Sequence, residues 1–343
     1  MKNIAKLFAV VVSVVIAASS LSIAADKKKY PLGEVEIPTL NGAVCTAAAY
    51  IAYEKGLFEE EGVKVTLTSG LSFELTRTLL ASGKAPVIHG DFQFFPAVYN
   101  GVPVKLIGGI HYGCIKVLLP KNSDIKTAAD LKGKTIGVDE IGGTPMSVVS
   151  VILGNAGLNP QTDVVWKPYP NDQLVTAAQK GEVDVVAAWD PFATLLSRQG
   201  FTVFSDIAED KLFAGKFCCF LFASSKVLKE NPAQIAALLR GYYKGAQYIA
   251  NNTKEAAQII VDKKYVGTDD VALVEELLAH YKYPAHHEPG FNAKAKDDAV
   301  YFAKELTKTG YLPKDLDAQK FIDGIYSDLF ETDKKDNKEH KTH

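Results

Sequence analysis

Arginine is almost missing from this chain. Its 343 residues include Arg77, Arg198 and Arg240 and no other, all inside helix-type patterns, so no pair of guanidinium forks is on hand to grip an oxyanion in bidentate fashion. Positive charge is not in surplus either. Lys and Arg total 38 against 40 Asp and Glu, a net charge of −2, which leaves nothing to neutralise a phosphate backbone and argues against nucleic acid as a partner. The GxSxG, HExxH, Walker and CxxC patterns are absent from the sequence, and with them the short signatures of common hydrolases, metalloproteases and nucleotide enzymes. No period of about 20 to 50 residues marks a solenoid. Past residue 24 no apolar run approaches the roughly 18 residues that cross a bilayer. Four cysteines in a chain this long do not make a disulfide scaffold.

What is present is the composition of a folded globular protein, 47% apolar and 23% charged, long enough at roughly 150 residues per domain for two domains. The N-terminus reads as a secretory signal peptide over 1–24. Lys2 and Lys6 precede the apolar run Leu7 to Ala24, Ser22 and Ala24 supply the small residues for cleavage after Ala24, and Asp26 to Lys29 break the run. An uncleaved anchor is the alternative, since the run is just long enough to span. No cysteine follows it, so no lipid anchor is expected, and loss of Lys2 and Lys6 takes the net charge from −2 to −4. Export would put Cys45, Cys114, Cys218 and Cys219 in a compartment that permits disulfides. They are widely spread, and neighbours such as Cys218 and Cys219 bond each other only with strain.

From Val35 onward short β-type runs alternate with helical patterns of ten or more residues, which predicts α/β architecture with parallel βαβ units. Strands are expected at Val35–Leu40, Val63–Thr68, Pro86–His89, Val104–Ile110, Ile115–Leu119, Thr135–Val138, Val164–Lys167, Val183–Ala187, Thr202–Phe204 and Phe217–Ala223. Between them fall helices such as Val44–Lys55, stopped by Gly56, and Pro145–Ala156, stopped by Gly157. After Ala223 the pattern is helical, beginning with a long helix that Asn231-Pro232 opens. Two such α/β blocks imply two lobes with a crevice at the carboxyl ends of the strands. The chain is expected to cross near His111 to Cys114 and return near Phe217 to Cys219. This divides it into a discontinuous lobe 1, 30–112 with 219–331, and a lobe 2, 113–218. The tail 332–343 is polar and free of aromatics, hence expected to be disordered.

Several stretches carry a family likeness. AYIAYEKGLFEEEGVKVTL (Ala49 to Leu67), ADLKGKTIGV (Ala129 to Val138) and GEVDVVAAWDP (Gly181 to Pro191) resemble, in order, segments of the periplasmic solute-binding proteins of ABC importers. The group in question is NMT1/SsuA-like and serves nitrate, sulfonates, taurine, bicarbonate and the thiamine pyrimidine. The resemblance implies a type II periplasmic-binding-protein fold, two lobes joined by a hinge with a helical C-terminal part. It also implies a function: a monomer in the periplasm that closes on one small solute and presents it to an ABC permease in the inner membrane. No enzyme activity and no resident cofactor are implied.

Candidate ligand-binding residues are those at strand ends facing the crevice. Asn41 to Thr46, with Asn41 and Cys45, ends one strand and opens a helix, although a plain turn with a helix cap reads equally well. His89, Gly90 and Asp91 follow the third strand, where Gly90 would let a ligand approach the backbone. His111 lies at the first crossing. Gly142, Gly143 and Thr144 precede an apolar helix, whose unpaired amides favour a negatively charged or carbonyl oxygen, although Pro145 removes one donor. Trp189 and Asp190 end a later strand and suit stacking and hydrogen bonding of a flat solute, with a core role as the alternative.

The shortage of arginine disfavours nitrate and sulfonate, though backbone amides alone bind anions. Asp91, Asp190 and nearby aromatics suit a planar or nitrogen-containing organic molecule better. A second alternative is a soft metal. Cys45, His89, His111, Cys114, Cys218 and Cys219 all fall at the expected crevice or hinge, and thiolate with imidazole is a ligand set for zinc or copper(I); buried cysteines also serve simply as small hydrophobes. FCCFLF (Phe217 to Phe222) resembles the cysteine cluster of the iron-binding thiamine-pyrimidine synthases of this fold. The cofactor-bearing lysine of those enzymes has no counterpart, His89 standing at the matching position, which argues against pyrimidine synthesis.

Overall fold

Residues 29–40, 42–69 and 71–329 are described by the structure, a computed structural model. The expected signal peptide, Asn41 and the tail 332–343 lie outside the described residues. The β-type runs resolve into three sheets. Strands β1 (Glu34–Pro38) and β2 (Lys64–Thr68) form a parallel pair. Strands β3 (Val87–Asp91) and β4 (Val104–His111) flank β10 (Cys219–Ser224) in a three-stranded sheet. The strands β5 (Ile115–Leu119), β6 (Thr135–Val138), β7 (Val165–Pro168), β8 (Val185–Trp189) and β9 (Thr202–Asp206) make a five-stranded sheet in the order β7-β6-β8-β5-β9.

The expectation of parallel units needs one correction. β6 is parallel to β7 and β8, but β5 is antiparallel to β8 and β9, and β10 is antiparallel to β3 and β4. The reason lies in where the chain crosses. Ile115 pairs with Trp189 at the carboxyl end of β8, and Cys219 pairs with Asp91 and His111 at the carboxyl ends of β3 and β4. A strand that enters a sheet at its carboxyl edge must run against the others. Both crossings therefore lie on the floor of the crevice between the lobes.

Helices cover the sheets because their apolar faces have nowhere else to go. The alanine-rich helix Ala47–Glu54 is buried through its first six residues. It lies against the helix Pro232–Asn251, which Asn231 caps through its side chain. Their approach is close: a Cβ at Gly245 would stand 2.2 Å from the Ala48 carbonyl oxygen. Gly245→Val is therefore expected to force the helices apart and lower stability by about 1–3 kcal/mol; an unshifted thermal midpoint would contradict this packing. Among the described residues no helix is long and apolar enough to cross a membrane.

Candidate functional site

The floor of the crevice gathers sulfur and imidazole. Cys114 lies on the first crossing, and Cys218 and Cys219 on the return. Cys114 Sγ is 3.5 Å from Cys219 Sγ, which is 3.6 Å from Cys218 Sγ. One ring nitrogen of His111 and the sulfurs of Cys114, Cys218 and Cys219 all fall within 4.8 Å of one another, and all four residues are buried. Cys45 approaches from the short 3-10 turn Val44–Thr46, and its carbonyl oxygen is 3.1 Å from His111 Nε2. His89 stands beside them on β3, its ring centroid 5.3 Å from that of His111. The wall is completed by Tyr281, stacked on His111 at 5.3 Å, and Tyr283 at 5.4 Å.

The electrostatics of this floor follow from its dryness. Burial and its neighbour His111 push His89 well below the ordinary imidazole value, so it is neutral. Burial lowers His111 as well, against the pull of Cys218 and two carbonyls. Burial opposes ionisation of Cys218, but hydrogen bonds from Cys114 and Cys219 outweigh it and favour the thiolate there. The bond to Cys218 raises Cys114, and burial raises Cys219. Both ring nitrogens of His89, both ends of the Gln93 amide and the hydroxyls of Tyr281 and Tyr283 have no hydrogen-bond partner among the described residues. Unpaired polar atoms in a dry core are costly unless something else meets them.

Bonds across the crevice hold the lobes together. Val44 N donates to the Asp190 carbonyl at 3.1 Å, and Thr144 Oγ1 donates to Asp91 Oδ2. Burial lifts Asp91 to about 7 despite that bond and one from the backbone N–H of Gln93. Asp190 is fully buried; its Oδ1 accepts from Thr194 N and Oγ1, while its Oδ2 receives Lys116 Nζ at 2.5 Å. Burial alone would depress Lys116, but Asp190 and Asp206 hold it above its ordinary value. Asp206 Oδ2 in turn meets His280 Nε2 at 3.1 Å.

That last pair gives a pH prediction. The hydrogen bond to Asp206 raises His280 above its ordinary 6.5, with Glu209 adding to the effect and Lys116 opposing it. The same contact outweighs burial to lower Asp206. A raised imidazole contributes stability that is complete below its unfolded pKa and is lost as pH rises through its folded one. Wild type should exceed His280→Gln in stability near about pH 6, with the gap closing by about pH 9. A gap that ignores pH in paired urea titrations would refute the assignment. A cavity of about 440 Å³ lined by Lys116, Asp206, Glu276 and His280 opens beside the pair and lets the proton exchange.

The candidate residues thus meet unequally. Cys45, His89, Asp91, His111, Cys114, Cys218 and Cys219 converge on the crevice floor. Trp189 is 3% exposed and its Nε1 donates to Asp139 Oδ2 at 2.6 Å, while Asp190 is engaged by Lys116, so both are held by the protein itself. Gly142 sits in an exposed turn at φ +77 with open space around it; Gly143 is buried. Gly90 answers packing and not a ligand: a Cβ there would stand 2.8 Å from the Phe94 ring. Sequence reasoning missed Lys116, Gln93, Asp139, Asp206, His280, Tyr281 and Tyr283. The lone lysine inside the apolar strand IKVLL was the one signal available, because a buried ammonium demands a carboxylate.

Two lobes joined by crossing strands, closed over polar groups at their strand ends, define a solute-binding protein of the periplasmic-binding-protein fold. The chain belongs to the NMT1/THI5-like family, whose pattern matches residues 45–256. It is 26% identical over 315 residues to the nitrate/nitrite binding protein NrtA of Nostoc sp., covering 81% of this chain and 71% of that one. Two solved structures share the fold. The periplasmic nitrate-binding protein NrtA from Synechocystis PCC 6803 superposes with a TM-score of 0.73 at 19% identity over 87% of each chain. The alkanesulfonate-binding protein SsuA from Xanthomonas axonopodis pv. citri, bound to MOPS, does so with a TM-score of 0.70 at 18% identity over 86% of this chain and 98% of that one.

Proposed function

We propose that this solute-binding protein is an exported, monomeric component of an ABC importer and that its cargo is a soft metal ion or a small complex of one. In this reading residues 30–112 with 219–331 move as one lobe and 113–218 as the other, and the closed form is presented to a permease in the inner membrane. The observation that carries the cargo assignment is the sulfur spacing. Ligands at about 2.3 Å from a tetrahedral ion stand about 3.8 Å apart, and the separations here are 3.5 and 3.6 Å. His111 suits the fourth position: one ring nitrogen would keep its carbonyl partner and fix the tautomer while the other turns to the ion. An ion would draw all three sulfurs into the thiolate form.

An oxyanion is less well served. Arg198 is held by Asp270 and Glu276, and Arg240 by Glu61, all in ion pairs at the surface. A nitrogen-containing organic solute is the second reading, favoured by the unpartnered atoms of His89 and Gln93. One experiment separates the three: thermal melts of the reduced protein with zinc(II), cadmium(II), copper(I), nitrate, an alkanesulfonate and an aminopyrimidine. A ligand selective for the folded form at a hundredfold excess over its Kd adds about 2.7 kcal/mol. The metals should raise the midpoint and the others leave it alone; a rise with nitrate, sulfonate or pyrimidine only would overturn the metal reading.

A further inference from the structure

We propose that Cys114 and Cys219 form a disulfide in the metal-free protein and that this bond controls loading of the crevice floor. The bond itself stands on side-chain geometry; its consequence for cargo rests on the metal reading above. The two sulfurs are 3.5 Å apart, one on each crossing, in residues far apart in sequence. A disulfide requires about 2.05 Å, so a small rotation of two side chains closes the gap. Cys218 is nearly as close to Cys219, but adjacent residues close a strained ring, and Cys218 keeps its contact with the His111 carbonyl.

The chemistry is ordinary thiol–disulfide exchange with an oxidised dithiol, the class of oxidant present where exported proteins fold. One sulfur of the pair gives up its proton and attacks a sulfur of the oxidant, breaking its S–S bond. The second cysteine then attacks the mixed disulfide. The oxidant leaves as two thiols, carrying the electron pair and the two protons that the cysteines gave up. With Cys114 and Cys219 joined, an ion would keep Cys218 and His111 and lose two of its three clustered thiolates. The reverse also holds: an ion already bound occupies the sulfur lone pairs and blocks the exchange.

The test uses the full mature chain, stripped with a chelator and treated with oxidised glutathione. Its intact mass should fall by two hydrogen atoms and two thiols should remain alkylatable. Trypsin should release 106–116 linked to 217–226, with fragment ions placing the link on Cys219. Zinc-loaded protein should keep all four thiols, and the oxidised form should bind zinc at least about 100-fold more weakly. Four alkylatable thiols after treatment, or a link at Cys45 or between Cys218 and Cys219, would overturn the proposal. Cys114→Ser should keep its three remaining thiols under the same treatment; should that variant fail to fold, the wild-type peptide map decides alone. If the reduced protein takes up no zinc, the metal reading fails while the peptide map still rules on the bond.

Discussion

Cys114→Ser/Cys219→Ser should lose soft-metal binding by about four orders of magnitude. The size follows from the energy of a four-ligand structural zinc site, about 10–16 kcal/mol. Shared over the ligands this is about 3 kcal/mol each, or a factor of about 100. Serine keeps the volume and the polarity, so the crevice floor should still close. Competition with a chelator of known affinity reads the change, and the thiolate-to-cadmium charge-transfer band reports the ligand count directly. Unaltered chelator competition in the double variant would show that these sulfurs hold no ion and that their closeness is packing alone. The single variant His111→Ala should be milder, because one neutral nitrogen is withdrawn and three thiolates remain.

Lys116→Met should lower stability severely. Lys116 sits on β5 with its ammonium 2.5 Å from Asp190, a carboxylate with no solvent of its own. Removing the cation leaves a buried charge with only the two Thr194 donors on its other oxygen, and broken buried pairs of this kind lose about 3–5 kcal/mol. The pair itself adds little net stability, since two charges had to leave water to make it. Lys116→Met/Asp190→Asn should therefore recover most of the loss. Urea midpoints at constant m-value measure both. Equal midpoints for wild type and Lys116→Met would mean that water reaches Asp190.

How much of this was legible in the residues can be argued from a few of them. The cysteines and histidines were legible as a group because a strand end in an α/β fold faces the crevice, so position alone aims them together. Strand direction was not. Alternation of β and α patterns fixes the period of burial, and both β5 and β8 read as buried apolar runs whichever way they point; only the position of the crossings makes one oppose the other. Tyr281 and Tyr283 were invisible for a different reason. They lie in the irregular stretch YKYP (Tyr281 to Pro284) after His280, where no period places a side chain, and they reach His111 only through the tertiary path of the loop. Trp189 was legible as a strand-end aromatic, but its partner Asp139, 50 residues earlier, was not. A pairing between distant loops leaves no local trace in composition.

The entry of β5 and β10 at the carboxyl edges sets the leverage of the whole molecule. Asp91, paired with Cys219, lies beside the axle that the two crossings form, while Thr144, at the start of its helix, belongs to the other arm. If the arms swing apart about that axle, Thr144 would part from Asp91 while Cys114 and Cys219, on the crossings, would travel little. Swinging open would thus uncover a sulfur-held guest without prising its ligands off it. Departure would then run at the pace of ligand exchange, with an incoming thiol taking the guest one sulfur at a time.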